Sequence, residues 1–313
     1  MSDIKIVYMG TPDFSVGPLD ALIKNNYNVL AVVTQPDKEV GRKKEIKFSP
    51  VKEYALKNNI KIIQPEKIRH DYKDILDLNP DIIITCAYGQ IIPKELLDFP
   101  KYKCINIHAS LLPKLRGGAP IHKAIIDGYD KTGVTIMYMD EKMDSGDIIY
   151  KEEVKIEDSD NVGTLFDKLS NLGSKMIIDV LPNIISGNIN PKKQNEEEVT
   201  YAYNITREEE KIDFNKTSRE VFNKIRGLNP WPVSYSTLDD KKVKIYESKI
   251  GNSNKNGIPG EIINIYKDSI GVKTIDGEIL IYELQFEGKK KVLSKDYING
   301  LQDKNSIIGK IFK

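Results

Sequence analysis

The chain has 313 residues, 40% of them hydrophobic and 30% charged, with 47 basic against 46 acidic side chains and a formal net charge of +1. This composition excludes a disordered chain, and no apolar run approaches the roughly 20 residues that a membrane span needs. So even a charge balance means that binding a polyanion requires a local basic feature rather than a global field.

MSDIKIVYM opens the chain as an alternating strand, without the basic stretch, apolar run and small-residue cleavage site of an export signal. Cys86 and Cys104 both stand in strand-like runs (IIITCAY and KCINIHA) and read as small buried hydrophobes. A reducing, cytoplasmic compartment is the expectation.

Strand and helix signals then alternate: IKIVYM with DFSVGPLDALIKNN, NVLAVVT with SPVKEYALKNN, and DIIITCA with PKELLD. Apolar β-branched runs joined by amphipathic segments predict βαβ units, hence an α/β fold with a Rossmann-like, mostly parallel sheet covered on both faces. The turn after the first strand, MGTPDF, has a single glycine and no GxGxxG, which removes the main support for a dinucleotide site. Between the second strand and its helix lies QPDKEVGRKKEIKF, residues 35–48. About 2–6 residues suffice for such a connection, so its length predicts a functional loop. Gly41 followed by Arg42, Lys43 and Lys44 would give that loop a basic tip.

Further strands are expected at KCINIHA, TGVTIMYMD and DIIYKEEVKI. A closing helix over about 161–185 follows from Leu165, Leu169, Leu172, Met176, Val180 and Ile184 at three- and four-residue steps, with a bend expected at Pro182. Apolar periodicity disappears in GNINPKKQNEEEVT, which sets a first domain at 1–189 and a linker at 190–204. Residues 205–313 hold one helix signal (SREVFNKIRGL) and short strands at hairpin-like spacing, the pattern of a small OB-like β-barrel.

Chemistry concentrates in NIHASLLPKLRGGAPIH, residues 106–122. Side chains on a strand alternate faces, so Asn106 and His108 point the same way, at the end of the strand where open α/β sheets bind ligands. Pro113 stiffens the loop that follows, and Gly117-Gly118 lets it turn before a helix near Pro120. His122 falls on that helix and reads as structural; His70, in EKIRHDYKD, reads as a surface residue. The turn DEKMDSGDI offers Asp140, Asp144 and Asp147, of which at least two are expected to be solvated or to cap local amides. A carboxylate beside an imidazole orients the ring and favours its protonated form, and an amide donor alongside makes a site able to hold an oxyanion. No serine or cysteine is placed as a nucleophile, and no His/Cys cluster has metal-ligand spacing. The reading is direct acyl transfer without a covalent enzyme intermediate and without a metal.

Six segments carry a resemblance across nearly the whole chain: GTPDFSV (10–16), TQPDKEVGRKK (34–44), AYGQIIPKELLD (87–98), NIHASLLPKLRGGAPI (106–121), MDSGDI (143–148) and IRGLNPWPVSY (225–235). With these the chain resembles the methionyl-tRNA formyltransferase family. The Asn-x-His…Asp set is common to 10-formyltetrahydrofolate transferases, whereas GTPDFSV, the GRKK loop and NPWP narrow the likeness to the tRNA enzymes. The resemblance implies transfer of a formyl group from 10-formyltetrahydrofolate to the α-amine of methionine on initiator tRNA, by a bacterial, cytoplasmic, monomeric protein. It assigns Asn106 and His108 to the oxyanion of the tetrahedral intermediate, and Asp144 to partnering His108 in the proton relay. Ser110, Leu111, Leu112 and Pro113 match the folate-binding segment, while Tyr88, Gly89, Gln90 and Ile91 resemble a wall of the pterin pocket. Arg42, Lys43 and Lys44 fall in the loop used on the acceptor stem, and the C-terminal barrel is the tRNA-binding domain. An alternative keeps the chemistry but changes the acceptor to a sugar nucleotide, glycinamide ribonucleotide or water. The GTPDF and NPWP signatures argue against it. A tRNA-binding module with a dead site is a third reading, opposed by the intact Asn106, His108 and Asp144.

Overall fold

A computed structural model of the chain describes residues 3–41 and 44–313. The chain divides into two compact units, one made of residues up to Pro120 with Lys131–Lys155 and Phe166–Tyr203, the other of Ile121–Asp130, Ile156–Leu165 and Asn204–Lys313.

In the first unit, apolar strands buried on both faces carry helices between them, as the βαβ pattern predicts. These are β1 (Lys5–Gly10), α1 (Val16–Lys24), β2 (Asn28–Val33), β3 (Lys38–Val40), β4 (Glu45–Lys47), α2 (Pro50–Lys57), β5 (Lys61–Ile63), α3 (Lys73–Leu76), β6 (Ile82–Cys86), α4 (Lys94–Asp98) and β7 (Cys104–His108). Helix α2 starts where the sequence says it should: the Ser49 side chain accepts the Lys52 N–H, and Pro50 occupies the first turn, where its missing donor costs nothing. The main sheet runs β5-β2-β1-β6-β7 in parallel, then adds β8 (Lys131–Tyr138) and β9 (Ile148–Lys155) antiparallel. Helix α5 (Pro120–Ile126) intervenes, and α6 (Val162–Ser186) follows. The expected closing helix is therefore present, and it continues past Pro182. Chain order reverses between β1 and β6, so the loops after these strands flank a topological switch point.

The connection 35–48 is not loop throughout. Strands β3 and β4 pair antiparallel, Lys38 opposite Lys47 and Val40 opposite Glu45. Arg42 and Lys43 lie outside the described residues; Lys44 is exposed, its ammonium 3.6 Å from the Glu39 carboxylate. Of the expected linker, 190–204, Lys192 and the stretch from Thr200 to Ala202 are laid against the first unit's own backbone. Lys192 exchanges two hydrogen bonds with Ile148 (2.8 and 2.9 Å), and Ala202 exchanges bonds with Arg116 and Ala119 (2.7 and 2.9 Å).

The second unit contains α7 (Ser218–Gly227), opened by a reciprocal capping box between Thr217 and Glu220. Strands β10 (Tyr235–Leu238), β11 (Lys241–Gly251), β12 (Ile262–Ile265), β13 (Ile270–Lys273), β14 (Glu278–Phe286) and β15 (Val292–Leu293) precede α8 (Ser294–Asn299). The sheet is antiparallel in the order β10-β11-β14-β13-β12, with β15 on β14, and forms a half-barrel. Val243, Ile245, Ile262, Val272, Ile279 and Ile281 fill it, joined by Val221 and Ile225 of α7 and by Phe312. Gly309 to Lys313 pair with both outer edges: with Gly260 and Ile262 on one side and Thr237 on the other. Among the described residues no helix is long and apolar enough to cross a membrane.

Candidate active site

Strand β7 ends in Asn106 and His108, and the neighbouring strands decide what each side chain can do. Thr85 of β6 stands opposite Asn106 in the parallel ladder, and its hydroxyl donates to Asn106 Oδ1 at 2.9 Å. This occupies the acceptor end of the amide and turns its NH2 outward, 3.4 Å from Asp144 Oδ1. The reverse orientation would set the amide oxygen against a carboxylate. His108, 7% exposed, has Nδ1 3.7 Å from Asp144 Oδ2 and Nε2 3.1 Å from the Leu115 carbonyl. Whichever ring nitrogen carries the proton meets an oxygen acceptor.

Of the three aspartates in the turn after β8, only Asp144 reaches this pair. Asp140 is exposed and caps the Glu141 N–H, as expected of a turn carboxylate. The carboxylate of Asp144 is held by the Gly117 N–H, 2.8 Å from Oδ2. Gly117 can approach so closely because it has no side chain: at φ +123° a Cβ would lie 2.7 Å from the Ala202 carbonyl oxygen.

The loop from Ser110 to Pro113 is pinned from beneath by Thr135 of β8. The Thr135 hydroxyl donates to the Ser110 carbonyl at 2.7 Å and accepts the Leu112 N–H at 3.1 Å. Ser110 is buried and its hydroxyl donates to the Lys114 carbonyl at 2.6 Å, so it is a structural group of the loop rather than a nucleophile. Leu112 and Pro113 are buried, Leu111 half-buried. The stretch after β6 leaves the adjacent parallel strand at the same end of the sheet. Tyr88 is buried, and its carbonyl accepts from the Thr11 hydroxyl (3.0 Å) and the Gln35 amide (3.1 Å). Gln90 accepts the Ile68 N–H at 2.9 Å, Gly89 turns at φ +87°, and Ile91 is exposed.

Both cysteines are buried and unpaired with each other, and burial pushes the Cys86 thiol up to about 12 and the Cys104 thiol higher still. Neither can supply a thiolate near neutrality. His70 is exposed, and His122 is half-buried with its ring edge-on to Trp231 at 6.3 Å. Among the described residues no group of three His, Cys, Asp or Glu is placed to hold a metal. Two contributors, Thr85 and Gln194, lie outside the six segments that carry the family resemblance, and Arg116, inside 106–122, has no role assigned from the sequence although its side chain is buried.

Residues 4–181 match the family model described as formyl transferase, and residues 204–302 the one described as formyl transferase, C-terminal domain. A methionyl-tRNA formyltransferase of Bacillus subtilis (strain 168) is 53% identical over 299 residues, spanning 95% of this chain and 94% of that protein. One of Bacillus thuringiensis subsp. konkukian (strain 97-27) is 52% identical over 300 residues, 95% and 96% of the two chains. Among solved structures, the N-formyltransferase of Helicobacter canadensis, in complex with folinic acid and dTDP-3-aminofucose, is similar with a TM-score of 0.67 at 24% identity. That likeness covers 92% of this chain and 100% of the other. HypX of Aquifex aeolicus, in complex with tetrahydrofolic acid, has a TM-score of 0.66 at 17% identity, over 98% of this chain and 48% of that one. At those identities the structural likeness speaks for the fold.

Proposed function

The chain belongs to the methionyl-tRNA formyltransferase family, so its reaction is formylation of the methionine carried by initiator tRNA, and we propose that Asn106, His108 and Asp144 carry out that transfer. The family draws its formyl group from a formyl-tetrahydrofolate. On this reading the donor is the 10-formyl isomer.

The neutral α-amine of the methionyl ester attacks the formyl carbon, forming the new C–N bond while the carbonyl π pair moves onto oxygen. That oxyanion lies against the outward NH2 of Asn106 and an N–H of His108, groups already oriented before charge develops. The proton lost by the attacking nitrogen leaves through His108 and Asp144. Collapse breaks the bond from the formyl carbon to N10, which departs with its electron pair and takes up a proton. The products are N-formylmethionyl-tRNA and tetrahydrofolate. The observation that carries this reading is the convergence of Asn106 Nδ2 and His108 Nδ1 on the two carboxylate oxygens of Asp144, at 3.4 and 3.7 Å.

Ser110, Leu111, Leu112 and Pro113 hold the folate on this reading, a role suited to a loop pinned by Thr135. Tyr88, Gly89, Gln90 and Ile91 form the pterin wall at the switch point, and Arg42, Lys43 and Lys44 meet the acceptor stem. The second unit contributes to tRNA binding, and the working form is a cytoplasmic monomer, checked by gel filtration. The deciding experiment offers formyl-tetrahydrofolate with methionyl initiator or elongator tRNA and scores formylmethionine. Formylation confined to the initiator is expected, with turnover lowered about 10²–10³-fold in His108→Ala and Asn106→Ala. Near-normal turnover in His108→Ala would sink the assignment.

A further inference from the structure

The geometry points to Gln194 as a positioning residue for the reaction, one that acts by holding the turn that carries Asp144. The inference rests on the catalytic assignment of Asp144 above. Gln194 lies between the two stretches that match family models, in a segment whose sequence reads as linker.

Both ends of its side-chain amide are spent on the site. Nε2 donates to the Asp144 carbonyl and to the Gly146 carbonyl, each at 2.8 Å, so one NH2 group ties together the two sides of the turn. Oε1 accepts two bonds from the guanidinium of Arg116, from Nε at 3.0 Å and Nη2 at 2.9 Å. With carbonyls on one side and only donors on the other, the amide has a single workable orientation. Arg116 is itself 3% exposed and completes its fork on the exposed Glu196 at 2.8 Å. The next residue, Gly117, supplies the N–H that holds the Asp144 carboxylate. One buried anchor thus sets both the backbone and the carboxylate of Asp144.

The turn needs such an anchor. Asp144 has φ +51°, a left-handed conformation that Asp adopts more readily than most side chains but that still has to be held in place by its surroundings. Its Oδ2 is 3.7 Å from His108 Nδ1, so even a small displacement of the turn removes the pairing. Gln194 touches none of the reacting atoms; its effect passes through Asp144.

The test is a double-mutant cycle between Gln194→Leu and Asp144→Asn, read as kcat and KM for both substrates, with thermal midpoints as the check on folding. Gln194→Leu is expected to lower kcat about 10–100-fold while each KM stays within about twofold. In the Asp144→Asn background the same change should alter kcat by less than about twofold, because there is no carboxylate left to position. Gln194→Glu keeps an acceptor for Arg116 but presents no donor to the turn; it covers the case of an unstable leucine variant and should show the same kcat loss. Losses that multiply in the double mutant, or a folded Gln194→Glu with full kcat, would overturn the inference. Full turnover in Asp144→Asn would overturn the site assignment itself, and this inference with it.

Discussion

Replacing Thr85 by valine keeps the shape of a strand residue that is 2% exposed but removes the hydroxyl that donates to Asn106 Oδ1. A neutral intramolecular hydrogen bond contributes about 0.5–1.5 kcal/mol net, and 1.4 kcal/mol is a factor of ten in an equilibrium. That is the bias Thr85 places on the amide orientation. What remains is the contact from Asn106 Nδ2 to Asp144 Oδ1, which at 3.4 Å is long and correspondingly weak, though it still favours the same orientation. The competent orientation therefore stays populated but loses its dominance, and kcat should fall about 3–10-fold, well short of the loss from removing the amide in Asn106→Ala. Stability should drop by about 0.5–1.5 kcal/mol, the worth of the single hydroxyl proton that Asn106 Oδ1 shares with the Ile105 carbonyl 3.1 Å away. Single-turnover formylation at saturating donor, beside a denaturant titration, reads both quantities. A loss as large as that of Asn106→Ala would mean that Thr85 does more than orient the amide, and no loss in a folded protein would mean that it does not orient it.

Gly117→Ala must place a Cβ against the Ala202 carbonyl at a φ that L residues avoid, so the loop shifts and its N–H leaves Asp144; kcat should fall more than about tenfold, with a lower thermal midpoint. Phe312→Ala empties a buried position that packs against Phe214 at 5.9 Å and should destabilise the second unit by about 3–5 kcal/mol, measured by chemical denaturation. Burial holds the His122 imidazole below its ordinary value of 6.5, so the unfolded chain takes up the proton first. Its contribution to stability is full above about 6.5 and is lost as pH falls from there toward the folded value, and His122→Gln should flatten the decline of the thermal midpoint below about pH 6.5. Replacing Arg42, Lys43 and Lys44 together with alanine should weaken tRNA use and flatten its dependence on salt while leaving folate binding intact, read by steady-state formylation across a salt series.

What could be read in advance was set by short-range periodicity. Apolar runs such as IVYM and IIITC become strands buried on both faces because they carry no charged group that must face water, and EILIYELQF, read as a short strand, becomes β14 with Ile279, Ile281 and Leu284 in the core. Asn106 and His108 were legible as a pair by their spacing, two residues apart on one strand. Choosing Asp144 over Asp140 and Asp147 took the family resemblance, since the three look alike as turn carboxylates. The β3–β4 pair was missed because KEV and EIK show no apolar face, and Glu45–Lys47 are fully exposed. Gln194 and Thr85 were invisible on principle: their partners lie 50 and 21 residues away, and a polar residue's distant acceptor leaves no periodic mark.

The segment Gly309 to Lys313 bears on how the protein stays apart from its neighbours. An uncovered strand edge offers unpaired N–H and C=O groups to any other chain, and a half-barrel has two such edges. Here one short segment guards both: the Lys310 carbonyl accepts the Ile262 N–H, the Gly309 and Phe312 N–H groups donate to the Ile262 and Gly260 carbonyls, and Lys313 both donates to and accepts from Thr237. Lys310 adds an ion pair to Asp239 beside the same seam. Loss of this segment would therefore bare two sticky edges in a single event, and the outcome to watch for is intermolecular sheet extension and precipitation rather than a quiet loss of tRNA affinity.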